Sequence, residues 1–571
     1  MRSSWSALRS ASLAGLSPAA RVWFHMVRWS ILLGIAAITH LAFPTTGSLD
    51  IPSYRPGTFA DREVVAPMDV TFWQTIRRVQ ENDDGRRPSI VVDSIEHVIH
   101  AGDLVVSPGD RVTRETAFEL AALADAARTL SRDDRLLQSL VGPVLFNALI
   151  LSIFWLLLML YRWETYAELR EMLFFGFLLS LVVVVSALFS RFLPERPELV
   201  PVPFLTIIVT LLYNGRIGLF AGAVAAILIG SQWAFSGQHG VVFILLAGTA
   251  AALGTRVARR RKELYFTIFT VVIAYALAAL TLGLLFSWTP GAMWWSVVRG
   301  AVTALGSAAV ALLILPLAES ATRITTDITL LELSDPSQPL LRRLSLDAPG
   351  TWAHSLAMGN LCESACNAIG ANGLLARVGA LYHDIGKAPQ PRYFVENQDL
   401  GTKPHDELGA RESAGIVRQH VIDGVQMARA AGLPEPVVAF IPEHHGTMTM
   451  DYFLDRAKRE GGTVNPEEFR YPGPRPRTPE TAVAMLADSA EAAVRMLGNP
   501  TPERVRSAVE FLIKQRVDDG QLKDAPLTLS DLDRVKEEFV RVISSMHHAR
   551  VGYPGDQDGF ARVPRRSVGG P

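Results

Sequence analysis

The stretch LYHDIGK at residues 381–387 places a histidine beside an aspartate, after an apolar approach and before a glycine turn. Neighbouring imidazole and carboxylate groups at a helix position can bind one divalent ion together, or the carboxylate can bridge two ions. A site of this kind needs further ligands, and residues on helical patterns to either side supply them. The candidate ligands, including the central pair, are His354, His383, Asp384, His420, His444, His445 and Asp488.

The order of these candidates is more informative than any one of them, because a lone histidine such as His354 is more often a satisfied core residue than a ligand. Asp488 is harder to explain as core, since Leu486 and Val494 lie near it at helical spacing and an unpaired carboxylate on an apolar face is costly. Imidazole and carboxylate ligands favour Mn, Fe or Zn over a thiolate-bound metal. Five histidines and two aspartates within about 135 residues predict two neighbouring divalent ions.

Composition separates this part of the chain from the part before it. At 571 residues, 49% of them apolar and 19% charged, with a net charge of −1, the chain is too long for one ordinary domain and too apolar for a purely soluble protein. Charged residues are scarce between about 139 and 320 and frequent after 330. The two cysteines, Cys362 and Cys366, exclude a disulfide scaffold and are predicted to be small core residues in a reducing compartment.

The apolar part predicts a polytopic membrane block. A hydrocarbon core of about 30 Å takes roughly 20 mostly apolar residues in a helix. The first candidate span is interpreted as a retained anchor, because its apolar stretch is long and no clear signal-peptide cleavage site follows it. The eight segments that meet or approach this length lie at about 22–43, 139–161, 172–193, 199–213, 217–235, 240–256, 264–287 and 295–317.

Loop charge predicts the orientation, since Lys and Arg concentrate on the cytoplasmic side. If the N-terminus is inside, the cytoplasmic loops carry Arg162, Arg170, Arg216 and the basic cluster TRVARRRKE at 255–263. The outside loops SGQHG and SWTPGAM carry neither Lys nor Arg. Eight crossings then return the C-terminal part to the cytoplasm, so we expect a multi-pass protein of the inner or plasma membrane with both termini cytoplasmic.

The predicted fold class is mainly α: a polytopic α-helical membrane block followed by an all-α domain, with a small α+β extracytoplasmic segment. Alternating β-branched stretches and an alanine-rich helical pattern indicate that segment, in which we find no chemistry and expect at most a sensory or protein-binding module. The predicted parts are a cytoplasmic start and anchor (1–43), the extracytoplasmic segment (44–138), a seven-helix transmembrane block (139–319), a linker helix (320–345), the catalytic domain (346–552) and a disordered tail (553–571).

The ordered ligand set is the signature of the HD superfamily of metal-dependent phosphohydrolases, which is all-helical. The runs VGALYHDIGKAPQPRYFVENQ and RYPGPRPRTPETAVAMLADSAEAAVR, within about 325–552, closely resemble the seven-transmembrane HD-domain family of cyclic-di-AMP phosphodiesterases. The upstream membrane block fits that family too. Two features depart from it: the extracytoplasmic segment is shorter, and Ala353 stands where the family commonly has a second histidine.

The resemblance implies hydrolysis of cyclic-di-AMP to the linear dinucleotide pApA in the cytoplasm, with Mn or Fe as the two ions. Asp384 and Lys387 are the predicted catalytic residues. Lys387, one helical turn from His383, could reach a non-bridging phosphate oxygen as a point charge, or it could be a solvated lysine at a helix end. HHGTMTMDYF lacks the Gly-Tyr-Pro element of the HD relatives that cleave cyclic-di-GMP. The implied ligands are His354, His383, Asp384 and Asp488 for one ion, and Asp384, His420, His444 and His445 for the other.

Three alternatives stay open at this point. The HD domain could bind a nucleotide without cleaving it, it could act on another nucleotide, or it could regulate a transporter or channel. The first alternative predicts a damaged ligand set, and the third predicts inward-facing ionisable residues in the spans, of which Arg299 is the main one. The expected partners are a cyclic dinucleotide, the lipid bilayer and an unknown extracytoplasmic ligand that regulates activity, with no nucleic-acid polymer; the sequence leaves the oligomeric state open.

Overall fold

The chain forms two compact units, Met1–Thr322 and Arg323–Pro571, which are treated separately below. The computed structural model describes residues 17–43, 51–61, 63–66, 68–80, 89–129, 140–194, 196–236, 239–256, 258, 260–398, 403–461, 463–497 and 501–546. The predicted tail at 553–571 lies outside these residues. Within them the chain is mainly helical, with a few short strands near the N-terminus, which confirms the predicted fold class.

The first unit contains the apolar helices. Each of the eight predicted apolar segments forms helix within the described residues. The helices of this unit are α1 (Pro18–Ala42), α2 (Arg114–Thr129), α3 (Gly142–Tyr161), α4 (Trp163–Ala167), α5 (Leu169–Phe192), α6 (Val202–Leu212), α7 (Gly215–Gly230), α8 (Trp233–Ser236), α9 (Gly240–Thr255), α10 (Leu264–Leu285) and α11 (Pro290–Thr322).

Among the residues that the structure describes, five helical segments are long and apolar enough to cross a membrane: α1, α3, α5, α10 with its preceding turn, and α11. The other three, α6, α7 and α9, are shorter. The segment predicted as one span at 217–235 is split, because α7 ends at Gly230 and α8 begins at Trp233. Almost every residue of α6 is buried, so this short helix is covered by its neighbours.

Two arginines of this unit have partners within it. Arg28 of α1 donates from Nε to the carbonyl of Tyr166, at 2.6 Å, and from Nη1 to the carbonyl of Phe24. Arg299 of α11 lies 3.0 Å from the carboxylate of Glu198, which is 3% exposed. The sequence flagged Arg299 without identifying this partner. Arg299 therefore has a counter-charge within this unit.

The segment between α1 and α3 is small and mixed. Strand β1 (Val64–Val65) pairs antiparallel with β4 (Leu104–Val106), and β2 (Val70–Gln80) pairs antiparallel with β3 (Ser89–Ile99). Helix α2 covers these strands through Leu120 and Leu123, both of which are buried. The predicted α+β segment is therefore present.

The second unit is a bundle of helices joined by loops and short 3₁₀ turns. Helix α14 packs against α15, α20 and α22. Cys362 and Cys366 of α14 are unpaired and buried in this core, as predicted. The helices are α12 (Asp327–Leu333), α13 (Pro339–Asp347), α14 (Pro349–Ile369), α15 (Gly373–Tyr382), α16 (Ala410–Ala430), α17 (Glu435–Val438), α18 (Phe440–Glu443), α19 (Asp451–Glu460), α20 (Pro479–Arg495), α21 (Pro502–Asp518) and α22 (Leu529–Met546).

Local sequence signals define the ends of the helices that position the site. Asn372 accepts the backbone N–H of Leu375 at the start of α15, and Thr478 accepts that of Thr481 at the start of α20. Pro479 occupies the first position of α20, where its missing N–H costs nothing. The predicted linker helix at 320–345 instead contains the end of α11, then α12 and the start of α13, with Pro339 beginning α13.

Candidate metal centre

The structure brings all seven predicted ligands together at one buried centre in the second unit. His354 comes from α14 and His420 from α16; His383 and Asp384 follow α15, His444 and His445 follow α18, and Asp488 lies on α20. One ligand atom from each of His354, His383 and Asp384 forms a compact group, and His420, His444 and His445 form another. The nitrogen-to-oxygen distances are 3.2 Å for His354–Asp488, 3.1 Å for His383–Asp384, 3.4 Å for His420–Asp384, 3.7 Å for His444–Asp384 and 3.9 Å for His445–Asp488.

Three imidazoles are fixed by backbone carbonyls. The Nδ1 atoms of His383, His420 and His444 lie within hydrogen-bond distance of the carbonyls of Ala380, Val417 and Ile441, respectively. With the proton on Nδ1, each ring presents an Nε2 lone pair to the centre, the tautomer that a metal ligand requires.

The atoms that face the centre need a partner. Within the described residues, Nε2 of His383, His420 and His444 and Nδ1 of His445 make no hydrogen bond. An unpaired buried acceptor costs roughly 1–3 kcal/mol, so a cluster of four is expected to be satisfied by a bound ligand. Divalent cations fit these donors, which are the nitrogen and oxygen types that Mn, Fe and Zn accept.

The protonation states suit cation binding. Burial lowers the pKa of His420 to about 4 and that of His444 to about 3, so both rings are neutral at pH 7. Burial alone would raise the pKa of Asp384, but the neighbouring His383 and Lys387 outweigh it and hold that pKa well below its usual value. His420 and His444 are therefore neutral imidazoles beside an ionised carboxylate, Asp384.

His354 is oriented by a carboxylate instead of a carbonyl. Its Nδ1 lies 2.9 Å from Oε2 of Glu491, and Arg495 holds the other oxygen of Glu491 at 2.5 Å. Burial lowers the pKa of His354, but its hydrogen bonds to Asp488 and Glu491 raise it to about 10. The sequence left the roles of Glu491 and Arg495 open; the structure gives Glu491 the role of orienting a ligand.

We expect Glu491→Gln to weaken divalent-metal binding about 10- to 100-fold, because carboxylates that orient a metal-binding histidine have effects of this size. Calorimetric titration of the metal-stripped, detergent-solubilised protein with Mn²⁺ measures the affinity. Glu363→Gln is the matched control, since Glu363 lies on the same helix as His354 and pairs with Arg377, away from the centre. Equal affinities for the Glu491 variant and the parent would show that Arg495 and Glu491 form a structural pair only.

Lys387 is held by two carboxylates. Its Nζ lies 2.6 Å from Oδ2 of Asp384 and 3.0 Å from Oε1 of Glu396, and it faces the Phe394 ring at 5.0 Å. Glu396 also accepts a hydrogen bond from the hydroxyl of Thr351 at 2.9 Å. Sequence reasoning missed Glu396, which lies within the quoted run that ends in RYFVENQ but in a single 3₁₀ turn, Val395–Asn397, too short for helical periodicity to mark it. The structure thus places Lys387 in contact with the predicted bridging carboxylate.

Gly386 lets the His-Asp turn lie directly against α16. A Cβ atom at this position would be 1.9 Å from the carbonyl oxygen of His420 and 2.6 Å from the backbone N of Gly424. Both neighbours are backbone atoms and have little room to move. A side chain here would push the His-Asp turn away from His420, which belongs to the same centre.

Gly386→Ala is therefore expected to lower the free energy of unfolding by about 2–3 kcal/mol, the range of overpacked sites. Urea unfolding of residues 320–571 checks this value. Gly415→Ala on α16 is the matched control, because a Cβ there meets nothing within 4 Å and alanine favours the helix. Equal losses in the two variants would contradict the argument from close contact.

Two cavities flank the centre. One, of about 510 Å³, is lined by His445 and Asp488, and its Tyr471 ring stacks on His445 at 4.1 Å between centroids. The other, of about 420 Å³, is lined by Gly386 and His420. Both volumes lie in the range of roughly 300–1,000 Å³ typical of small-ligand sites. The ligand atoms are buried, yet a substrate can approach them from two sides.

A helical unit with this ordered set of histidines and aspartates around one centre is an HD hydrolase domain, and a family comparison supports this. Residues 351–493 match the HD domain family, and residues 137–326 match the family described as 7TM receptor with intracellular HD hydrolase. The chain belongs to this family of membrane proteins. It is a multi-pass membrane protein whose HD domain binds divalent metal ions.

Several relatives are known. Cyclic-di-AMP phosphodiesterase PgpH of Bacillus subtilis is 32% identical over 81% of this chain and 66% of its own length. PgpH of Listeria monocytogenes is 31% identical over 84% of this chain and 67% of its own length. An uncharacterized Synechocystis protein, slr0104, is 38% identical over 61% of this chain and 44% of its own. The chain thus spans about two thirds of the length of the two PgpH proteins.

Solved structures of the Listeria PgpH HD domain are also similar. The domain alone is 38% identical, covers 37% of this chain and 100% of that chain, and has a TM-score of 0.36. The same domain in complex with cyclic-di-AMP is 37% identical, covers 38% of this chain and 100% of that chain, and has a TM-score of 0.37.

Proposed function

We propose that this protein is a membrane-bound, metal-dependent phosphodiesterase that hydrolyses cyclic-di-AMP to pApA in the cytoplasm. The observation that carries the proposal is the complete set of predicted ligands. Each of the seven positions holds a histidine or an aspartate, and all seven side chains converge on one centre. Its two PgpH relatives are named cyclic-di-AMP phosphodiesterases. An intact centre argues against the alternative of a receptor that binds a nucleotide without cleaving it.

We propose two ions with Asp384 between them. Among the histidines, its Oδ2 is paired with His383, at 3.1 Å, whereas its Oδ1 is paired with His420, at 3.4 Å, as expected of a carboxylate that bridges two ligand groups. Two such ions, for which we propose Mn or Fe, would lower the pKa of a water molecule and stabilise the charge of a phosphodiester under attack. The proposed ligand sets are His354, His383, Asp384 and Asp488, and Asp384, His420, His444 and His445.

The chain's own residues hold this arrangement in place. Lys387 forms an ion pair with Asp384 and donates a hydrogen bond to Glu396, which holds the lysine beside the Asp384 carboxylate. The contact of Lys387 with a phosphate oxygen of the substrate stays a prediction from the sequence. Burial of His383, His444 and Asp384 excludes bulk water, which strengthens every charge interaction at the centre.

The orientation and domain boundaries predicted from the sequence belong to this proposal. The family is described as having an intracellular hydrolase, which supports a cytoplasmic C-terminal domain. The basic cluster at 255–263 supports the same orientation, with both termini inside and residues 44–138 outside the plasma membrane. Regulation by a ligand of residues 44–138 completes the proposal.

The test uses the full-length protein in detergent, loaded anaerobically with Mn or Fe and incubated with cyclic-di-AMP or cyclic-di-GMP. Chromatography of the products should show metal-dependent formation of pApA from cyclic-di-AMP. Tight binding of cyclic-di-AMP without turnover would favour the receptor alternative. Hydrolysis of a different nucleotide, and not of cyclic-di-AMP, would support the metal-dependent hydrolysis but refute cyclic-di-AMP as the substrate.

A further inference from the structure

The larger cavity beside the metal centre carries cationic side chains that the proposed mechanism does not use. Besides His445 and Asp488, its lining includes Arg470, Arg475 and Arg516. Asp451 and Asp519 are the other charged groups of its lining. The three arginines differ in how far their charges are already paired.

Of the three arginines, Arg475 has the charge that is least paired. Its Nε donates to the hydroxyl of Thr447 at 3.4 Å, and within the described part of the chain no carboxylate pairs with its guanidinium. Arg470, by contrast, lies 3.4 Å from a carboxylate oxygen of Glu467. The outer nitrogens of Arg475 are therefore left to bind an anion.

Arg516 has a buried donor that is unsatisfied. Its Nη2 donates to the hydroxyl of Ser489 at 3.2 Å, and its Nη1 lies 3.7 Å from Asp519. Its Nε is buried and has no hydrogen-bond partner among the described residues. A buried guanidinium nitrogen without an acceptor is costly, so this geometry favours a ligand that brings an oxygen to it.

The segment that contains Tyr471 and Arg475 is hydrogen-bonded to the loop that follows the paired histidines. The backbone N of Tyr471 donates to the carbonyl of Met448 at 3.0 Å. The side-chain oxygen of Gln521 accepts from both the backbone N and the hydroxyl of Thr447, at 3.1 and 3.2 Å. Thr447 is the partner of Arg475, so the arginine is positioned relative to the metal centre before a ligand arrives, which reduces the entropy lost on binding.

We propose that Arg475 and Arg516 form a subsite for the second, uncleaved phosphate of a cyclic dinucleotide. This inference rests on the proposed function. The ring of such a substrate contains two phosphodiesters, so when one lies at the metal centre the other must lie a short distance away. The cavity begins at His445 and Asp488 and presents two planar guanidinium groups, which bind phosphate oxygens through paired N–H donors. The subsite selects cyclic dinucleotides over diesters that carry a single phosphate.

The test compares two substrates in the full-length, Mn-loaded protein: cyclic-di-AMP, and bis(p-nitrophenyl) phosphate, which has one phosphodiester. Arg475→Gln and Arg516→Gln are each expected to lower kcat/KM for cyclic-di-AMP roughly 10- to 100-fold, the loss of one charge-assisted hydrogen bond. Hydrolysis of bis(p-nitrophenyl) phosphate should change less than about twofold. Arg429→Gln is the control, since this arginine pairs with Glu435 on the surface.

A parallel titration measures the binding of cyclic-di-AMP and separates the two proposals. Weaker binding by both variants supports the subsite, even if the parent proves unable to cleave the ligand, which would refute only the proposed function. Equal losses for both substrates would show that the arginines support the fold and not the second phosphate. The subsite would also be refuted if both variants bound and hydrolysed cyclic-di-AMP as well as the parent does. In that case the proposed function would stand, because the parent hydrolyses cyclic-di-AMP.

Discussion

Asp384→Asn is expected to abolish the proposed phosphodiesterase activity, with a loss of at least about 1,000-fold, equivalent to roughly 4 kcal/mol in the activation barrier. Asp384 is 1% exposed and lies within 4 Å of three imidazoles and of Lys387. Asparagine keeps the shape but has one acceptor oxygen and no charge. It cannot serve both groups of histidines, so the proposed two-ion arrangement should not form.

Two measurements on the full-length protein check this expectation. Chromatography of the reaction products gives the activity, and elemental analysis of the purified protein gives the metal content, which should fall from about two ions to one or fewer. Asp347→Asn is the control, because Asp347 pairs with Arg343 on the exposed side of α13. A variant that keeps two ions and near-parental activity would contradict the bridging role of Asp384.

Lys387→Met is expected to lower the free energy of unfolding of the metal-free protein by about 3–5 kcal/mol, as when one partner of a buried ion pair is removed. Methionine has a similar length but leaves Asp384 and Glu396 as neighbouring buried carboxylates without their shared counter-charge. Urea unfolding of residues 320–571 in the presence of a chelator isolates this effect from that of bound ions.

The pH dependence distinguishes this effect from a simple loss of packing. Burial alone would raise the pKa of Glu396, but the ammonium of Lys387 outweighs it and lowers that pKa. In the parent, this ion pair therefore stabilises the fold above the ordinary glutamate pKa of about 4.3, and that contribution is lost as the pH falls through the lowered value. Without Lys387 the folded-state pKa rises, so the difference between parent and variant should shrink between pH 7 and pH 4.

A double variant supplies the control for Lys387. Lys387→Met combined with Glu396→Gln removes one of the two unpaired carboxylates and should recover part of the lost stability. Recovery of that kind measures the coupling between the two side chains. Additive losses would mean that Lys387 and Glu396 stabilise the domain independently, which the 3.0 Å contact between them argues against.

The sequence predicted which side chains meet at the centre, because they keep a characteristic order along the chain. Helical patterns placed His354, His420 and Asp488 on elements that then met in the fold. The groups that support the ligands could not be found this way. Glu396 and Gln521 lie outside regular helices, and their partners are distant in sequence, so neither periodicity nor spacing marks them.

In the membrane part, too, some features could be predicted from the sequence and others could not. Apolar runs predicted where the eight apolar helices of the described residues lie, because length and composition are visible in the sequence, but not the short helix α4 or the break between α7 and α8. They did not predict that α6 is buried by its neighbours, since a lipid-facing helix and one enclosed by protein have the same apolar composition. The ion pair of Glu198 with Arg299 was also missed, because the two residues are 101 positions apart.

The carbonyl anchors of His383, His420 and His444 have a consequence for how the protein acquires its ions. Each of these rings is oriented by a backbone carbonyl three residues earlier in the chain. The orientation of the three rings is therefore set by the backbone and does not depend on a bound ion. Ions can then be exchanged without refolding. Divalent metals differ in affinity for such nitrogen and oxygen donors, and cells control which of them is free. A change in the surrounding metal supply would therefore reset the catalytic capacity of molecules already in the membrane, without new synthesis.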